Sequence, residues 1–229
     1  MLQPIIQKLQ MKRIILASGS PRRKEILQNM GLKFEVVPST FEEDLDKSSF
    51  SHPYEYVMEN AKQKTLEVAK RLSSDQRCPD LLIGADTVVA MEDEIFEKPT
   101  SKQKAFEMLS RLSGRTHTVY TGVVLVTPDT DDLKTGTDQF HVNAFHEATD
   151  VKFGILPDEV IQAYIATGEP MDKAGAYGIQ AVGGSLVEAV HGDYFNVVGF
   201  PLHHFCKQLL RLYSTETESR HVFTHHDTS

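Results

Sequence analysis

Cysteine is scarce in this chain: Cys78 and Cys206 are the two among 229 residues, too few for a disulfide framework and without metal-ligand spacing. Both read as ordinary buried or half-buried thiols, and a reducing compartment is their natural setting. Long apolar runs are missing as well. None approaches the roughly 18 residues that a membrane span requires, and residues 1–10 lack the unbroken apolar stretch and small-residue cleavage site of a secretory leader. The expectation is a cytoplasmic protein without a membrane partner. Cations are outnumbered, 24 Lys and Arg against 32 Asp and Glu for a net charge of −8. That balance disfavours general nucleic-acid binding, which needs a basic face over phosphates. Any polyanionic ligand then requires a local cluster of cations, or a metal. Internal repeats are absent, and so are the glycine fingerprints of dinucleotide and P-loop sites.

What is present is 40% hydrophobic residues, enough for one sizeable core or two lobes flanking a cleft. Residues 13–17 read as a strand, followed by a tight turn and a helix with Ser20 as N-cap, Pro21 at the first helical position and Gly31 at its end. Residues 34–37 form a second strand closed by Pro38. Tyr54, Met58, Ala61, Thr65, Val68 and Leu72 recur at spacings of three and four, the stripe of a core-facing helix. Residues 81–90 predict a buried strand interrupted by Gly84 and Asp86, with a turn at Glu92 and Asp93 and a return strand at Ile95 and Phe96. A helix over 101–112 follows, then strands over 116–126 and 140–152. The polar stretch 127–138 between them reads as a mobile surface connection. A helix opening at Leu156 and Pro157 presents Val160, Ile161, Tyr164 and Ile165 as its apolar face. Residues 183–198 look like strands joined by tight turns, and 202–213 like the last helix. Residues 1–12 are an N-terminal extension, 13–213 one globular unit, and 214–229, with His221, His225 and His226, a disordered polar tail. Strands alternating with helices and then turning hairpin-like suggest an α/β fold on a mixed sheet.

Several segments carry residues suited to chemistry. Ser18-Gly19-Ser20-Pro21-Arg22-Arg23-Lys24 puts hydroxyls, free N–H groups and three cations at a helix start, where cations oppose the helix dipole. A phosphate held there explains that cost; a solvated basic turn is the plainer alternative. Asp86 is a carboxylate inside an apolar strand. Burying it unpaired is costly, so it faces a loop, a cation, or a metal and water that it would activate. Glu97-Lys98-Pro99 places a further cation near the same sheet end, although such a segment alone is more often a surface turn. Lys62 and Lys64 lie two apart on the long helix and point in different directions, so one of them at most serves a given site. The acidic run Glu42, Glu43, Asp44 and Asp46 reads as a solvated loop, one carboxylate of which could complete a metal site. In residues 169–180, small residues permit close backbone approach to a ligand, Lys173 supplies charge, and Gln180 offers donor and acceptor to a base edge. Asn196 to Pro201 read as structural.

In order along the chain, Ser18-Gly19-Ser20-Pro21-Arg22-Arg23, Gly84-Ala85-Asp86-Thr87, Glu97-Lys98-Pro99 and Lys173-Ala174-Gly175-Ala176-Tyr177-Gly178-Ile179-Gln180 resemble the SxSPRR, GADT, EKP and KAGxYxIQ motifs of the Maf family of nucleotide pyrophosphatases. The resemblance runs from residue 13 to residue 213. It is strongest toward the Maf-like part of animal proteins that continue into a methyltransferase domain, which these residues do not contain. The resemblance implies an elongated mixed β-sheet with flanking helices in two lobes around a cleft, the Maf/ITPase-like arrangement. It further implies hydrolysis of nucleoside triphosphates to monophosphate and pyrophosphate with Mg²⁺ or Mn²⁺, in a homodimer. Asp86 would be the catalytic acid/base and a metal ligand, supported by Lys64 and Lys98, with Glu43 as the second metal-ligand candidate. Arg22, Thr87 and Gln180 would govern substrate choice, while Ser18, Arg23 and Lys173 would hold phosphates. Gln180 is similar to the branch acting on dTTP and UTP, with CTP and modified pyrimidine nucleotides as further candidates. A low-turnover nucleotide-binding regulator, tied to cell division or to a methyltransferase partner, is the alternative; the presence of Asp86 argues against it.

Overall fold

Residues 1–92, 94–129 and 140–221 are described by the computed structural model, with side chains to residue 213. Asp93, residues 130–138 of the polar connection, and His225 and His226 lie outside the described residues. One seven-stranded mixed sheet organises the chain, in the order β2-β1-β3-β5-β6-β7 with β4 on β3. Strands β1 (Ile14–Leu16) and β2 (Glu35–Val36) pair in parallel, as do β1 and β3 (Leu81–Met91). The longer β5 (Thr116–Pro128), β6 (Phe140–Phe153) and β7 (Val187–His191) follow antiparallel.

The open edge of β3 makes room for a site. On one side, β1 covers only Leu81 to Ile83, and the short β4 (Glu94–Phe96) pairs only with Val89 to Met91. The backbone from Gly84 to Val88 lies between them, while β5 pairs continuously along the other edge. Asp86 and Thr87 sit in that gap, the two partly exposed positions of an otherwise buried strand.

The helices deliver cations to this gap. Helix α2 (Pro21–Asn29) starts as expected, Ser20 Oγ accepting from the Arg23 N–H at 3.5 Å, and Gly31 follows it at φ 77°. Helix α3 (Pro53–Leu72) lies across β3 and β5. A Cβ on Gly84 would collide with Thr65 Oγ1, and one on Gly122 would stand 2.9 Å from the α3 backbone at Met58. Glycine at both positions therefore sets how closely the helix approaches the sheet. Ala61, Thr65 and Val68 of the expected α3 stripe are buried, but in the first turns the buried side is rotated: Tyr56, Val57 and Asn60 are buried, whereas Tyr54 and Met58 are half-buried. Tyr54 instead stacks on His146, with centroids 4.4 Å apart.

Two apolar cores flank the gap. One joins β1, α2 and α7 (Leu202–His221); the other joins α4 (Lys102–Leu112), α5 (Asp158–Ala166), Phe153 and Tyr177. Met108 and Val160 are less buried than their helix faces suggested. The N-terminal extension belongs to the first core: α1 (Ile6–Gln10) and the turn before it bury Leu2, Ile5 and Leu9. Residues 183–198 depart from the expected strands. A 3₁₀ turn (Val182–Leu186) leads into β7, and a short helix α6 (Tyr194–Val198) follows, capped by the Asp193 side chain on the Phe195 N–H at 2.8 Å. Helix α7 continues past Tyr213 to His221, into the segment read as a tail. Among the described residues, no helix is long and apolar enough to cross a membrane.

Candidate active site

A cleft of about 590 Å³ opens at the β3 gap. Ser18, Arg22, Arg23, Glu43, Lys64, Asp86, Thr87, Lys98, Lys173 and Gln180 all line it, so residues from every chemical segment of the sequence meet in one place. Lys62, as its spacing demanded, turns away and pairs with Glu59 at 3.5 Å.

Strand alternation splits the centre into two faces. On the α3 face, Lys64 Nζ lies 3.0 Å from Asp86 Oδ1 and 2.7 Å from Glu43 Oε2. The Lys64 and Asp86 side chains are 14% and 13% exposed, so their attraction is poorly screened by solvent. Burial raises the Asp86 pKa, with Lys64 and then Arg23 opposing it. Asp86 Oδ2 has no hydrogen bond among the described residues. On the other face, Arg23 donates from Nη2 to Thr87 Oγ1 at 3.0 Å, from Nη1 to Ser18 Oγ at 3.1 Å and from Nε to the Gly199 carbonyl at 3.0 Å. Burial lowers the Arg23 pKa while Asp86 opposes the shift; guanidinium nevertheless stays protonated.

Behind Thr87 runs a buried relay that sequence reading missed. Thr87 Oγ1 and Thr121 Oγ1 are 3.0 Å apart, and Thr121 donates to the Asn196 carbonyl at 3.1 Å. Asn196 Nδ2 donates to the Val119 carbonyl at 2.9 Å and to Thr149 Oγ1 at 3.0 Å. Asn196 thus fixes the segment whose Gly199 carbonyl receives Arg23. The segment Asn196 to Pro201 read as structural, and nothing in its spacing linked Gly199 to an arginine 176 positions away.

The mouth is bridged by charges from both sides. Arg22 Nη1 lies 3.7 Å from Asp172 Oδ2, and Lys173 Nζ is 2.7 Å from Asp172 Oδ1 and from the Glu169 carbonyl. Burial tends to raise the Asp172 pKa, yet Lys173 and Arg22 outweigh it and hold the carboxyl below its ordinary value. Lys98 and Gln180 are exposed at the rim. To one side, Glu97 accepts from Tyr56 Oη at 2.7 Å and pairs with Lys47 at 2.6 Å.

The donor set fits a hard divalent cation. Glu43 and Asp86 both reach one ammonium, so two carboxylates converge where a cation already has a favourable place. Among the described residues, no three His, Cys, Asp or Glu side chains gather as a metal site. Two carboxylates without a closed cage suit Mg²⁺, which is commonly completed by water and substrate phosphates.

A human protein named probable bifunctional dTTP/UTP pyrophosphatase/methyltransferase is 60% identical over 211 residues, covering 92% of this chain. The chain spans about a third of that relative's length, 34%. A dTTP/UTP pyrophosphatase from Thermoanaerobacter is 49% identical over 190 residues, 83% of this chain and 91% of its own. Another from Bacillus cereus is 46% identical over 199 residues, covering 87% and 89%. The solved HAM1 protein from Coxiella burnetii covers 87% of this chain and 99% of its own at 13% identity and a TM-score of 0.46, a likeness too remote to weigh. The family model described as Maf-like protein matches residues 13–212, and the chain belongs to that family.

Proposed function

We propose that this chain hydrolyses dTTP and UTP to the nucleoside monophosphate and pyrophosphate. The observation that carries the reading is Asp86, a shielded carboxylate paired with Lys64 and under the charge of Arg23, in a cleft lined by further cations. The relatives' printed activities agree with it.

The residues divide the work as the reaction requires. Water attacks the α-phosphorus, the bond to the bridging oxygen breaks, and pyrophosphate leaves with the negative charge. Asp86, its pKa raised by burial, accepts the water's proton on the oxygen that Lys64 does not hold. Arg23, Ser18 and Lys173 neutralise the phosphates, with Lys98 at the rim assisting. Asp86 and Glu43 would hold Mg²⁺ or Mn²⁺, which would supply charge neutralisation on the phosphates and a more acidic water. Gln180 meets the base edge, while Arg22 and Thr87 shape selection with it.

A panel of nucleoside triphosphates incubated with Mg²⁺ tests the proposal, provided pyrophosphate is resolved from orthophosphate. Monophosphate plus pyrophosphate, fastest from UTP or dTTP, is the expected result. Nucleotide binding without turnover across the panel would instead favour the regulatory alternative.

A further inference from the structure

Lys173 and Gln180 stand at the two ends of one irregular loop, so the precision of both depends on what holds the chain between them. Gly175 and Ala176 there adopt left-handed φ values of 67° and 60°. For alanine that conformation crowds its Cβ and persists only where the surroundings over-determine it. Gly175 donates its N–H to the Glu97 carbonyl at 3.2 Å, and presses so closely on Val89 that a Cβ would stand 2.7 Å from Cγ2. Gly178 donates to Tyr164 Oη at 3.1 Å, and Tyr164 in turn donates to Glu169 Oε1 at 3.0 Å. Between these ties, Tyr177 drops out of the loop into the second core. Its hydroxyl lies 2.8 Å from His117 Nε2, and its ring meets Phe153 edge-on with centroids 4.7 Å apart. Both members of the pair are buried, Tyr177 5% and His117 2% exposed.

Two phenylalanines would occupy this space without desolvating either polar group. A buried polar bond adds little net stability over such a pair, but it does fix direction. The direction fixed here is that of the Tyr177 side chain, which the bond ties by its hydroxyl end, three residues from Gln180. We propose that His117 and Tyr177 are positioning residues for nucleotide selection, their bond setting where the loop presents Gln180, while Lys173 stays tied to the Glu169 carbonyl and Asp172. This rests on the dTTP/UTP pyrophosphatase reading above.

Tyr177→Phe, His117→Phe and the double variant test it, with UTP turnover and with calorimetric binding of α,β-imido-UTP. Each single change leaves an orphan polar group and lowers Tm, whereas the double change removes both groups and recovers it. If the bond positions the loop, the recovered double variant still shows KM and Kd raised about tenfold with kcat within about threefold, and a narrowed preference for UTP over GTP. Tyr177→Phe keeps the ring and shows the same split, which carries the test should the double variant fail to fold. Folded variants with wild-type KM, Kd and preference would overturn the proposal and leave the pair as packing alone. A wild-type protein that neither binds the analogue nor hydrolyses any triphosphate would instead bring down the functional reading, and this inference with it.

Discussion

Asp86 meets opposing demands at a single carboxylate. It must stay charged enough to bind a cation, yet basic enough to take a proton from water. Burial supplies the second property and Lys64 with Arg23 the first, since burial raises its pKa and the two cations draw it back. Asp86→Asn keeps the shape and removes the charge. We expect turnover to fall by at least about 10²-fold with the fold intact by circular dichroism, because acid–base groups typically contribute about 10²–10⁴-fold. Retention of more than about a tenth of wild-type activity would remove Asp86 from that role. His117 has a different consequence. Burial lowers its pKa from 6.5 to about 4, with Asp150 opposing weakly. Between those values the unfolded chain holds a proton that the folded chain does not, so stability is unaffected above about pH 6.5 and falls as pH drops toward 4. The full loss is about 3 kcal/mol. Urea denaturation at pH 7 and pH 4.5 should show wild type losing more stability than His117→Phe; equal losses would mean that His117 is protonated in the folded protein.

At the level of elements, the site depends on α3 lying hard against β3 and β5. Gly122 is the limiting contact, since its missing Cβ would meet helix backbone that no rotamer change relieves. Gly122→Ala must therefore push α3 outward, and Lys64 with it. A loss of about 1–3 kcal/mol is expected from such overpacking, together with a lower kcat/KM as Lys64 leaves Asp86; wild-type stability by denaturation would show that the helix has room to spare. Elements of this kind were partly legible in sequence. The Ser20-Pro21 start of α2 and the strands around Asp86 carry local signals, and they form where those signals put them. The face of α3 read correctly at Ala61, Thr65 and Val68 but not in its first turns, where a fully buried Asn60 breaks the apolar pattern that marks a core side. Helix α6 is five residues long, too short to show a period, although Asp193 and Gly199 at its ends are the ordinary cap residues. Leu2, Ile5 and Leu9 already have helical spacing, but the helix they pack against lies about 200 residues on, as the Lys8 bond to the Tyr213 carbonyl illustrates. The four motifs pointed to one site, whereas His117 and Asn196 carry no local mark of their partners across the fold.

Across the whole molecule, a net charge of −8 surrounds a cleft lined by Arg22, Arg23, Lys64, Lys98 and Lys173. A triphosphate is thus drawn to one place by local cations against an opposing overall field, and the acids inside the cleft limit how much of that attraction is free. Asp172 occupies Arg22 and Lys173, while Glu43 and Asp86 share Lys64. A divalent cation would take over the task of pairing Glu43 and Asp86, releasing Lys64 toward phosphate. The fold itself does not need it: four apolar clusters join the sheet to its helices, and no three-ligand cluster exists among the described residues. Structural metals behave otherwise, since their binding energy is folding energy and chelators unfold the proteins that carry them. Treatment with EDTA should therefore abolish pyrophosphate release while Tm stays within about 2 °C, less than the shift that 1 kcal/mol produces in a domain of this size. Added Mg²⁺ or Mn²⁺ should restore turnover. Collapse of Tm on chelation would place a metal in the fold rather than in the reaction, and activity persisting in EDTA would leave the lysines and arginines to neutralise the triphosphate alone.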